Sequence, residues 1–337
     1  MRFLNRVHGM NILMLGGTGF LSRVAAMDAT ARGHRVTALT RGLSGLPPQN
    51  VISVTVDRND AEAMRLALQG MEIDAVIDMS GESVTGARIA AQQLAAVTSY
   101  AYVSSMNAYR RWPPGPIAGE DEALWEEESE DFGPTKAASE RILAAAFGDR
   151  LLVARAGLIV GPGDPSGRLP WWLHRTAAGG RMVAPEPLDQ FIAFVDVRDL
   201  AGWLVDAAER GLSGPVNATG PYGMTTFGGL LTACQEAVAS AGTQPAEIVP
   251  VDEQALLAAG VLPWRHLPFW LPAEVASTAW QIDTSTARLL GLPSRPVGET
   301  VADTWTWLRD AGAAALPTGE RAYGLPAELE QLLLSAG

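Results

Sequence analysis

The chain has 337 residues, 47% of them apolar and 18% charged, and a formal net charge of −12. That length can bury a large α/β core, as one domain or two coupled ones, while the acidic balance argues against a nucleic-acid surface, which needs clustered Lys and Arg. One cysteine, Cys234, excludes an internal disulfide and fits a reducing cytoplasm, and with four scattered histidines it offers no metal-ligand spacing.

Residues 1–9 carry Arg2 and Arg6 but lead into no secretory apolar region, so they read as a tail, with Met10 an alternative start. No apolar run is long enough to span a bilayer. Ile12 to Leu15 is a short apolar strand that ends in Gly16-Gly17-Thr18-Gly19 and passes into a helical pattern, Phe20-Leu21-Ser22-Arg23 to Ala31. Strand, tight turn and helix in this order suit a dinucleotide, whose pyrophosphate would sit on the helix N-terminus. Where a third glycine would pack helix on strand the chain has Ser22.

Gly33-His34-Arg35 stops that helix, and Val36–Thr40 reads as a second strand with Arg41 at its end. Val51–Val56 is a further β-rich run, closed by Asp57-Arg58-Asn59-Asp60. A helix is expected over 61–69, a buried strand over Ile73–Ile77 ending in Asp78-Met79-Ser80-Gly81, a helix over 86–97, and a strand Tyr100–Val103 running into Ser104-Ser105. This alternation predicts an α/β fold with a Rossmann-type, doubly wound parallel sheet.

Eight of the twelve residues at 120–131 are acidic, which reads as a solvated loop rather than a metal or basic-partner site. Gly133-Pro134-Thr135-Lys136 opens a helix to about Ala146, with proline in its first turn. Leu151–Val160 is a strongly apolar strand, and Gly161 to Pro165 a rigid turn after it. Eight of the ten tryptophans then lie between Trp171 and Trp307. Residues 10–165 with 190–220 are expected to form the cofactor domain, and 166–189 with 221–325 a smaller, mostly helical substrate lobe. Ile192–Val197 and Pro215–Ala218 would return to the main sheet, with the site between the two parts.

Taken in order, several runs resemble the NAD-dependent epimerase/dehydratase family, the extended short-chain dehydrogenase/reductases. They are Gly16 to Leu21, Asp57, Asp78 to Gly81, Tyr102-Val103-Ser104-Ser105 with Tyr109, Lys136, Arg155 to Asp164, Phe194 to Ala201 and Asn217-Ala218-Thr219-Gly220. The similarity covers roughly residues 10–310. It implies that the glycine turn, with Thr18, Phe20 and Leu21, holds the pyrophosphate, Asp57 the adenine edge, and Ser80-Gly81 the adenosine ribose. It also implies that Lys136 holds the nicotinamide ribose and that Arg58, Met79, Ala156 and Leu158 belong to the cofactor wall. Ser105, four residues before Tyr109, matches the family's catalytic hydroxyl. NAD users of the family often carry an acid at the end of the second strand; here Thr40-Arg41 stands there, and a guanidinium would accept a 2′-phosphate. The expectation is therefore NADP(H), with NAD(H) the alternative and a solvated Arg41 the plain reading.

The departure is Phe132. The family's Tyr-x-x-x-Lys places both side chains on one helix face, but this chain reads Phe132-Gly133-Pro134-Thr135-Lys136. A phenyl ring has no proton to exchange. Three readings follow: a reductase whose proton comes from Ser105, Tyr109, water or the substrate; a nucleotide-sugar epimerase or dehydratase that recycles its cofactor; or a binding protein or sensor without catalysis. The reductase is preferred, acting on a carbonyl or alcohol of a ring-bearing small molecule in the cytoplasm. Candidate substrate contacts are Tyr109, Trp171, Trp172, His174, Arg181 and Gln190, against the plain reading of the tryptophans as core and of His174 as structural. Family members often pair through two helices, and nothing in the sequence decides whether this chain forms a homodimer.

Overall fold

The computed structural model describes residues 9–336 except 44, 82, 128, 313–316, 318, 320 and 321, so nearly all of the expected 1–9 tail lies outside the described residues. In chain order the first half runs β1 (Asn11–Leu15), α1 (Phe20–Ala31), β2 (Arg35–Thr40), β3 (Val51–Thr55), α2 (Ala61–Leu68), β4 (Ala75–Asp78), α3 (Val84–Gln93), β5 (Ser99–Ser105), α4 (Phe132–Phe147) and β6 (Leu151–Ala156). There follow β7 (Ile159–Val160), α5 (Arg168–Ala177), β8 (Arg181–Glu186), β9 (Phe191–Ile192), β10 (Val195–Asp196), α6 (Val197–Arg210), β11 (Gly214–Ala218) and β12 (Thr225–Thr226). The chain closes with α7 (Phe227–Ser240), β13 (Glu247–Asp252), α8 (Glu253–Ala258), α9 (Ala273–Ala279), α10 (Ser285–Leu289), α11 (Val297–Ala311) and α12 (Ala327–Ala336).

Seven strands make one sheet in the order β11-β6-β5-β4-β1-β2-β3, and every pairing in it is parallel. β5 and β6 are buried at every residue, as a parallel strand covered on both faces requires. Ala25, Ala26 and Ala29 of α1 and Leu200, Ala201 and Leu204 of α6 cover one face. Ala87 and Ala90 of α3, with Leu143 and Phe147 of α4, cover the other. The strand order reverses between β1 and β4, which puts a crevice at the carboxyl ends of these strands.

Three sequence expectations need correction. The apolar run Leu151–Val160 is broken at Gly157, where a Cβ would stand 2.2 Å from Thr219 Oγ1, and β7 leaves the sheet to pair with β10. Ile192–Val197 accordingly does not rejoin the main sheet, whereas Gly214–Ala218 does, as its edge strand beside β6. The tryptophan-rich part also contains a six-residue parallel pair, β8 with β13, hidden from pattern reading by a proline in each strand. That part has its own hydrophobic core, drawn from residues 160–194 and 224–334.

Candidate functional site: a nucleotide cleft and a Ser–Lys pair without tyrosine

The turn after β1 is built by its glycines. Gly16 and Gly17 have φ of +101° and +140°, and the Gly16 N–H donates to Leu39 O, tying the turn to β2. A Cβ at Gly17 would meet the Ala38 Cβ at 2.5 Å. Gly19 is different: its φ is −79° and an added Cβ would meet only Ser22 Oγ, at 3.5 Å. The chain itself leaves room for a Cβ there. Ser22 Oγ accepts the Gly19 N–H at 3.1 Å, so the side chain standing at the third-glycine position caps the start of α1.

Around this turn lies a cleft of about 400 Å³ at the crevice between β1 and β4. Of the residues expected to bind cofactor, Gly16, Thr18, Gly19 and Arg41 line one side of it, and Asp57, Arg58, Met79 and Ser80 another. Arg41 is exposed at the end of β2. The geometry therefore fits a dinucleotide. Four expected residues also have structural parts. Gly17 admits Ala38, Leu21 packs into the sheet core, and Gly81 lies under the Tyr102 ring, where a Cβ would be 2.2 Å from a ring carbon. Leu158 packs against the second core. Phe20 opens α1 within packing distance of Gly163, and Ala156 lies beside Ser105 in the sheet register.

Arg58 is also held by the protein. Its guanidinium makes a two-pronged pair with Asp78 at 2.7 and 2.8 Å and donates to Ser80 Oγ at 2.9 Å. Asp78 is fully buried and accepts a third bond from the Tyr100 hydroxyl. Burial alone would push the Asp78 carboxyl up, but the Arg58 charge and these hydrogen bonds hold it below the ordinary carboxylate range. A Cβ on Gly86 would meet Arg58 Nε at 2.5 Å, so α3 leaves room for this side chain. Arg58 thus shapes the cleft wall as one half of a buried ion pair.

Ser105 ends β5, and Lys136, near the start of α4, reaches back to the same strand. Ser105 Oγ accepts from the N–H and the side-chain amide of Asn107 at 3.2 and 3.3 Å, which leaves its own proton available to a ligand oxygen. Lys136 is buried and its Nζ donates to Val103 O at 3.0 Å. Phe132 is the first residue of α4, one turn before Lys136, with its ring 49% exposed and its centroid 5.5 Å from the Lys136 Nζ. A Cβ at Gly133 would meet Asn107 O at 2.3 Å, so the first turn of α4 packs directly on the turn that follows Ser105.

Behind this pair is a buried polar network. Glu140, one turn beyond Lys136, accepts from Ser104 Oγ and from the Arg155 guanidinium at 2.8 Å. Arg155 also donates to the Tyr109 hydroxyl at 2.8 Å, and Tyr109 donates to Asn217 Oδ1 at 2.6 Å. Burial pushes the Tyr109 hydroxyl up to about 12. Tyr109 is therefore a packing residue and not a proton donor to substrate, because its hydroxyl is enclosed between Arg155 and Asn217. Nothing in the sequence marks Glu140. Its spacing from Lys136 is the one available signal, and a helical glutamate ordinarily reads as solvent-facing.

The model of the NAD dependent epimerase/dehydratase family matches residues 12–219. The chain belongs to that family. Curated proteins that align with it include a chloroplast stem-loop binding protein of 41 kDa from Arabidopsis thaliana, 26% identical over 67% of this chain and 62% of its own, and 2′-dehydrokanamycin reductase from Streptomyces kanamyceticus, 28% identical over 52% and 51%. The match thus spans less than two thirds of either relative. The fold is that of a Bordetella bronchiseptica enzyme, WbmH, crystallised with NAD+, at a TM-score of 0.67 and 19% identity over 91% of this chain and all of the other.

The expected substrate contacts do not converge in this family member. Neither the nucleotide cleft nor the groove beside Phe132 is lined by Tyr109, Trp171, Trp172, His174, Arg181 or Gln190. On α5, Leu169, Trp172, Leu173 and Thr176 recur at helical spacing and face the core. Trp172 is accordingly fully buried, with its Nε1 donating to Pro268 O at 2.9 Å. Trp171 is half-buried against Trp172 and Gly324, and His174 is exposed on the outer side of the helix. Arg181 reaches Leu334 O of α12, and Gln190 donates to Leu271 O. Among the described residues no group of His, Cys, Asp and Glu could hold a metal ion, and no helix is long and apolar enough to cross a membrane.

Proposed function

We propose that the protein is a cytoplasmic NADP(H)-dependent reductase of a ketone or aldehyde on a ring-bearing small molecule, working without the usual tyrosine. The observation that carries this reading is that the nucleotide cleft, with Arg41 at its rim, and the Ser105–Lys136 pair lie along the carboxyl edge of one sheet. The turn of Gly16, Thr18 and Gly19 with the start of α1 would hold the pyrophosphate, and Arg41 the 2′-phosphate by charge-assisted hydrogen bonds. Asp57 would take the adenine edge, Ser80 the adenosine ribose and Lys136 the nicotinamide ribose. When bound, the cofactor supplies the reducing equivalents. Ser105 would hold the substrate carbonyl oxygen through its available proton and pass that proton to it as the carbonyl carbon takes up hydride, with water reprotonating the serine oxygen, while Phe132 stands beside that corner in place of the usual tyrosine.

The matched relative named as a 2′-dehydrokanamycin reductase supports a carbonyl on a ring. The relative named for stem-loop binding suggests an RNA ligand, but a charge of −12 favours a small molecule over a polyanion. The test follows NADPH oxidation over a panel of ring ketones. Turnover should fall by about 10²-fold or more in Ser105→Ala, the usual cost of losing a positioned proton donor. Turnover unchanged by that substitution removes Ser105 from the mechanism, and product formed with no net NADPH consumed points to the recycling epimerase instead.

A further inference from the structure

Beside Phe132 lies a second groove, of about 390 Å³, walled by Trp112, Trp125 and Phe132 and rimmed by Glu127 and Asp131. Both indole N–H groups are already committed, Trp112 Nε1 to Ala279 O at 2.8 Å and Trp125 Nε1 to Asn107 O at 3.1 Å. The tryptophans therefore offer the groove aromatic carbon surface rather than hydrogen-bond donors. Among the described residues neither Glu127 nor Asp131 is paired with a cation; the Asp131 carboxylate accepts from Ser129 Oγ. Arg141 of α4 donates to Trp125 O and Glu126 O and so fixes the wall from behind. The other positive features on this side are the start of α4, which Asp131 precedes, and Lys136, whose Nζ is drawn inward to Val103 O. Asn107 joins the groove to the catalytic corner, since its side chain donates to Ser105 Oγ at 3.3 Å.

Aromatic faces with carboxylates at the rim attract a cation and repel a phosphate. We infer that this groove receives a protonated amine of the substrate, so that the reductase acts on amino-bearing ring compounds and not on nucleotide sugars. The inference rests on the function proposed above and names its substrate class. With the amine against Trp112 and Trp125, the carbonyl of the same molecule would point past Asn107 toward the Ser105 corner.

The test is calorimetric titration of the full chain with 2-deoxystreptamine, a diamino ring, against myo-inositol, its uncharged counterpart, at pH 7. The diamine should bind about tenfold tighter than inositol, and 0.5 M salt should reduce the difference. The double substitution Glu127→Gln, Asp131→Asn should weaken the diamine about fivefold, the scale of two exposed charge contacts, and leave inositol unchanged. Both positions are exposed and the replacements keep their shape, so the variant keeps the fold. Equal binding of the two rings, no binding of the diamine, or a variant indistinguishable from the parent overturns the inference. NADPH titrated in the same samples separates the two claims: cofactor binding without amine preference overturns the amine site alone, and failure to bind cofactor overturns the reductase.

Discussion

Gly17 runs at φ +140° with Ala38 so close that an added Cβ would stand 2.5 Å from the Ala38 Cβ, whereas Gly19 has ordinary backbone angles and room for one. Their replacements should therefore part company. Gly17→Ala should cost about 1–3 kcal/mol of stability in urea denaturation, through backbone strain and the clash together. Gly19→Ala should stay within about 0.5 kcal/mol of the parent and instead weaken dinucleotide binding. Equal destabilisation by the two would sink the assignment of Gly19 to the ligand. The motif is visible in sequence, but the division of labour inside it depends on Ala38, two strand positions before Thr40, and so becomes legible only once β1 and β2 are paired. Arg58 teaches the same lesson: its place in the cleft follows from the motif order, while its partner Asp78 is 20 residues away.

Among the elements, α4 is clamped to β5 and β6 through Glu140, whose side chain and that of Arg155 are each 5% exposed. Removing one charge of such a pair leaves the other buried without a counter-ion, which costs about 3–5 kcal/mol. Glu140→Gln should show a loss of that size in chemical denaturation, and a loss below about 1 kcal/mol would mean that α4 is held by packing alone. The Arg58–Asp78 pair gives a pH signature. Because the Asp78 carboxyl is held below its unfolded value, its stabilisation is complete above about pH 4 and is lost as the pH falls through the lower folded value. Replacing Arg58 by Met should therefore lower stability near neutral pH and flatten its fall on acidification below about pH 4; an unchanged pH dependence would contradict the pairing. Six of the seven main-sheet strands follow from alternating apolar runs and turn residues, and the seventh from Pro215–Ala218. The buried network does not, because its bonds join residues 15 to 108 positions apart, from Arg155 with Glu140 to Tyr109 with Asn217, and no local pattern encodes such partners. The tryptophans mislead for a related reason: Trp172 falls on the buried stripe of α5 with Leu169, Leu173 and Thr176 and so joins the core.

At the scale of the molecule, one sheet carries both halves of the proposed chemistry, with the nucleotide cleft over β1, β2 and β4 and the Ser105–Lys136 corner over β5. The second core, gathered from residues 160–194 and 224–334, takes in Trp172 and part of Trp171, two of the residues that a sequence reading offers to the substrate. The aromatic surface nearest the reacting corner comes instead from the segment between β5 and α4. The central claim is that the cleft holds the phosphorylated dinucleotide through Arg41. Fluorescence titration of the full chain with NADPH and NADH tests it directly. The account predicts NADPH binding about tenfold or more tighter than NADH, with that preference lost in Arg41→Ala. Binding of neither nucleotide, or a tighter grip on NADH, would contradict it.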